Sequence, residues 1–136
     1  MISVLLILAI IFGIVVLFLI GRFAPKPRRR LNHEHFQKQW LEILARVKTS
    51  DDGMTLAVID ADKLVDEALR KLHFGGKTMG ERLVSAQRTL SNNDNVWYAH
   101  KLRNRLVHEP NVQLKKREAQ DALTGFRQAL RDLGAL

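Results

Sequence analysis

The sequence predicts an all-α protein: one transmembrane helix followed by an up-and-down antiparallel helical bundle. Three observations predict it. Residues 1–20 contain no charged side chain. From Leu31 onward, apolar residues recur three and four positions apart, the period of a helix with one buried face, and no alternating strand pattern appears. Glycines, prolines and capping residues divide that region into pieces of helical length.

The first element is residues 1–20, "MISVLLILAIIFGIVVLFLI". A helix of about 20 apolar residues is the length that crosses a roughly 30 Å hydrocarbon core. The stretch lacks the basic start and small-residue cleavage site of a removable leader, so an anchor is expected. Arg22, Lys26, Arg28, Arg29 and Arg30 follow with no acid among them. By the positive-inside rule they place the C-terminal part in the cytoplasm. The expected location is thus the plasma (inner) membrane, single-pass, with the lipid bilayer as a partner of the cation cluster. Pro25 and Pro27 break any continuous helix, which makes 21–32 a short basic linker.

Residues 33–136 form the expected cytoplasmic bundle: four core helices plus one membrane-proximal helix. In the latter, Phe36, Trp40, Ile43, Leu44 and Val47 recur at helical spacing. Ser50 or Asp51 caps a longer helix. Its inner face is Ala57, Val58, Ala61, Leu64, Val65, Ala68, Leu69 and Leu72, and Gly75-Gly76 is expected to end it. Thr78 and Glu81 make a capping box for a third helix with Met79, Leu83, Ala86 and Leu90 inward. The stretch 91–95 reads as a loop. A helix from about Val96 to His108 stops before Pro110. The last, from about Lys115 to Leu133, carries Ala119, Ala122, Leu123, Phe126, Ala129, Leu130 and Leu133 in one stripe, and Gly134 ends it.

Composition narrows the function classes. The chain has no cysteine, which excludes disulfides and thiolate metal sites. Its formal charge is +8, but five of those charges lie in residues 21–30, so the bundle is only mildly basic. That argues against tight sequence-independent nucleic-acid binding, which needs many phosphate contacts. "GGKTMG" at 75–80 lacks the spacing and the preceding strand of a phosphate loop. His33 and His35 point about 200° apart on a helix. Asp62 and Asp66 lie one turn apart with no third ligand in view, and read as a charged helix flank. No metal or cofactor is expected.

The stretch "HKLRNRLVHEP", residues 100–110, is the one that suits chemistry. On a wheel of about 100° per residue, Val96, Ala99, Leu102 and Leu106 make the core face. Arg103, His100, Asn104 and His108 share an arc beside it, while Lys101 and Arg105 point to solvent. A guanidinium grips phosphate with two hydrogen bonds. An imidazole titrates near neutrality and can move the proton of a ribose 2′-hydroxyl. The same residues would also serve to hold helix ends together.

"RNRLVH" at 103–108 resembles the arginine, four-to-six residues, histidine motif of HEPN domains, including the polar residue after the arginine. The flanking "VWYAHKLRNRLVHEP" is similar to the form seen in small bacterial HEPN-like proteins of undefined role. The resemblance covers roughly residues 55–135. It implies a metal-independent endoribonuclease acting as a homodimer, in which Arg103 stabilises the phosphate, His108 is the general acid or base, and Asn104 supports them with His100 alongside. The family also contains inactive, RNA-binding and structural members. It therefore equally implies a non-catalytic module that binds single-stranded RNA or a protein partner at the membrane.

Overall fold

The computed structural model describes the backbone of residues 2–23 and 30–136, and the side chains of residues 6–20 and 30–136. Among these there are six helices and no strand: α1 (Ile2–Phe23), α2 (His33–Val47), α3 (Asp51–Lys71), α4 (Met79–Ala86), α5 (Asn93–His108) and α6 (Lys116–Asp132). The fold is an all-helical bundle.

α1 requires a correction. Among the described residues, no helix is long and apolar enough to cross a membrane. The expected single-pass inner-membrane placement is therefore overturned. Arg22 lies in the last turn of α1, Lys26, Arg28 and Arg29 fall outside the described residues, and Arg30 is exposed. α1 adds no described side chain to the core, which runs from Phe36 to Ala135.

The bundle is organised around α3, which packs against α2, α4, α5 and α6, while α5 also packs against α6. The reason is visible in its sequence. Ala57, Val58, Ala61, Val65, Ala68 and Leu69 are all fully buried, and the small alanines let neighbouring helices approach. Phe36, Phe126, Leu83 and Leu130 fill the space between them, each burial stabilising by about 1.5–3 kcal/mol. α6 meets α5 at the closest point: a Cβ on Gly125 would stand 2.7 Å from the Asn95 carbonyl oxygen.

The helix ends follow local chemistry. Ser50 accepts a hydrogen bond from the Gly53 N–H at 3.0 Å. Thr78 and Glu81 form the expected capping box. Gly134, at φ +73°, closes α6 with a six-to-one bond from the Ala135 N–H to the Leu130 carbonyl. α3 ends differently from expectation. His73, at φ +60°, takes the left-handed position, with the Phe74 N–H bonded to the Leu69 carbonyl at 3.0 Å and the His73 N–H to Arg70 at 2.9 Å. Gly76 has another task. At φ +141° it lies where a Cβ would stand 2.6 Å from the Cβ of Glu81, so it lets the loop pass over the start of α4. α5 also begins earlier than expected, because Asn92 caps it by accepting from the Asn95 N–H at 3.0 Å.

Candidate functional site

The site starts with a carboxylate in an apolar row. Asp62 follows Val58 by four residues and precedes Val65 by three on the buried face of α3, and it is 2% exposed. A buried charge requires partners. Both come from α5. His100 Nδ1 donates to Asp62 Oδ1 at 2.8 Å, and Arg103 Nε lies 3.2 Å from Asp62 Oδ2. The latter is an ion pair without hydrogen-bond geometry, since the Arg103 Nε–H has no hydrogen-bond partner.

Asn104 closes the network. Its Oδ1 accepts from Arg103 Nη1 at 3.0 Å, and its Nδ2 lies 3.3 Å from His100 Nε2. These contacts fix one consistent assignment. An ionised carboxylate only accepts, so the imidazole carries its hydrogen on Nδ1. Nε2 is then free to accept from the Asn104 amide. Trp97 meets the His100 ring edge-on with centroids 5.9 Å apart. Both imidazole nitrogens are thus occupied and the ring is held on a third side.

The four side chains form one wall of an open cleft of about 440 Å³ between α3, α5 and the start of α4, with Lys63 at its edge. Arg103 keeps a quarter of its side chain exposed there, at 24%, while Asp62 and His100 are covered. Asp66, also on the cleft wall, is neutralised. Arg82 Nε donates to it at 2.7 Å, Arg70 Nε lies 3.3 Å away, and the Arg82 Nη1 donates to the Gly76 carbonyl at 2.7 Å. Asp62 is buried and Asp66 half-buried, and each is paired with cations or donors of other residues, so the two are anchors rather than only a charged helix flank.

The structure brings Arg103, Asn104 and His100 together. It does not bring His108 to them. His108 lies five residues beyond Arg103, about 140° further round the helix. It is exposed and has no hydrogen-bond or ion-pair partner among the described residues. Lys101 and Arg105 are exposed, and Arg105 approaches Glu109 at 3.8 Å. Asp62 is the residue that sequence reasoning missed as part of the site. Its signal was a carboxylate at a core position of an otherwise apolar row.

No protein-family model, no curated protein and no solved structure matches the chain.

The arrangement offers a fixed, permanently charged guanidinium on the wall of a cleft. Among the described residues of one chain, no free imidazole lies beside it.

Proposed function

We propose that the chain is a HEPN-like module that binds single-stranded RNA through a phosphate held at Arg103, and that a single copy does not cut it. One observation carries this reading. Asp62 and Asn104 hold Arg103 at the cleft wall, while His100, the only imidazole in reach among the described residues, spends both ring nitrogens on Asp62 and Asn104. A guanidinium restrained in this way loses little freedom on gripping phosphate, and its fork suits two phosphate oxygens. Asp66 is matched by Arg82 and Arg70, and Asp62 is covered behind Arg103, so neither carboxylate faces the ligand unscreened.

Anisotropy of a fluorescent single-stranded RNA oligonucleotide, titrated with the full chain in EDTA, tests the reading. Arg103→Ala is expected to weaken binding at least tenfold. Arg103→Lys restores only part of it, because lysine keeps the charge and loses the fork. The salt slope is expected to be shallow, about −0.7 to −1.4, for one or two phosphates. Unchanged affinity in Arg103→Ala would dismiss the proposal.

A second reading has its own observation. His108 is exposed and unpartnered among the described residues, hence available to a second copy. In a homodimer that set one chain's His108 beside the other's Arg103, the pair becomes a metal-independent endoribonuclease. EDTA-resistant cleavage, present in the dimer and lost in His108→Ala, would establish this reading over the first.

A further inference from the structure

A second groove lies between α2 and α6, on residues the RNA site does not use. Its main cavity, about 520 Å³, is floored by Trp40, Leu44, Val47 and Leu123. A smaller one of about 230 Å³ adjoins it and shares Trp40, Leu44 and Arg127. Together they are of the size that holds a small ligand.

The charged side chains that line this groove are of one sign. Lys48 and Arg127 line the larger cavity and Arg131 the smaller, and no aspartate or glutamate lines either. Some cations elsewhere on the bundle are paired, as Arg46 is with Asp60 and Lys71 with Glu67, and others are not; this groove is marked by unpaired cations around an apolar floor. Among the described residues, Lys48, Arg127 and Arg131 have no ion-pair partner. Trp40 supplies a further observation. It is 5% exposed, and its indole Nε1–H is buried with no hydrogen-bond partner. A buried donor without an acceptor is unusual in a folded protein.

We propose that this groove binds a long-chain carboxylate. The alkyl chain covers Leu44, Val47 and Leu123. The carboxylate lies at the junction of the two cavities, where Arg127 and Trp40 are common to both. It accepts from the guanidinium and, once the Trp40 ring turns to uncover its buried N–H, from the indole. Nucleic acid would satisfy the cations and leave the apolar floor open to water. A neutral apolar ligand would do the reverse and leave the indole donor unmatched. One ligand class meets all three features.

The probe is dodecanoate below its micellar concentration, added to the ¹⁵N-labelled full chain. The chain has two tryptophans, hence two indole N–H resonances. The Trp40 signal is expected to shift saturably while that of Trp97, in the other cleft, stays in place. Arg127 is exposed, so Arg127→Glu leaves the core intact, and it is expected to weaken the response at least fivefold. Dodecyltrimethylammonium, with the same chain and opposite charge, is expected to bind at least fivefold more weakly. A Trp40 shift that never saturates, equal binding of the cationic amphiphile, or full affinity in Arg127→Glu would each overturn the proposal. So would a Trp40 shift that follows protein concentration without probe, because the occupant would then be a second copy.

Discussion

Asp62 on α3 accepts a 2.8 Å hydrogen bond from His100 on α5, 38 residues away, and both side chains are buried. With Arg103 on the second carboxylate oxygen, this contact ties α5 to the hub helix. Removing one partner of a buried pair leaves the other uncompensated, at a cost of about 3–5 kcal/mol. Asp62→Ala is expected to lose that much, read as a lowered urea midpoint. The triple variant Asp62→Leu, His100→Leu, Arg103→Leu should recover most of the loss, since all three charges or dipoles leave together. A single substitution costing under about 0.5 kcal/mol, the range of ordinary surface changes, would show that the network carries no structural weight.

Arg103 and His108 should separate in stability. Arg103→Ala removes an ion pair and leaves Asp62 and Asn104 short of a partner, so a loss of about 1–3 kcal/mol is expected. His108→Ala changes an exposed side chain with no partner among the described residues, and should fall within about 0.5 kcal/mol of the parent. Chemical denaturation of the two variants checks the contrast.

Gly125 tests the close contact between α5 and α6. A methyl group there meets the Asn95 carbonyl oxygen at 2.7 Å and the carbonyl carbon at 3.0 Å. Alanine is the better helix former, yet overpacking against backbone costs about 1–3 kcal/mol. Gly125→Ala is therefore expected to lower the melting temperature. A rise would mean that α5 and α6 separate without cost.

Asp132 gives a pH prediction. Burial pushes its carboxyl up, but hydrogen bonds from the Ser91 N–H, the Ser91 hydroxyl and the Gln128 amide outweigh this and hold it below its ordinary value. A group depressed in the folded state contributes stability above its unfolded pKa and loses it as pH falls through the folded value. The parent should thus lose more melting temperature than Asp132→Asn on acidification from pH 6 to below about pH 3.5, the region under the ordinary aspartate value. Parallel acid profiles would contradict the assignment.

What the sequence made legible follows from how far each signal travels along the chain. Caps at Ser50, Thr78 and Gly134 are contacts of three to five residues, and each appears where the spacing puts it. The apolar stripe of α6 is buried as its period requires. The end of α3 was misplaced because His73 tolerates the left-handed position that Gly75-Gly76 advertised. The start of α5 was misplaced because a run of asparagines reads as loop until one of them is seen capping. Asp62 needed the partner helix. Its row on α3 was apolar, but only α5 supplies the imidazole N–H and the guanidinium that make a buried carboxylate tolerable there. The arc on α5 was legible as far as Arg103, Asn104 and His100. His108, placed on the same arc, stands in solvent at the helix end.

The measurement closest to the central claim follows Arg103 itself. The side-chain ¹H–¹⁵N resonance of Arg103 in the full chain, titrated with a single-stranded RNA oligonucleotide in EDTA, should shift and saturate while the RNA remains intact on a gel. An unmoved Arg103 resonance, with shifts confined to exposed cations such as Arg105, would contradict the account.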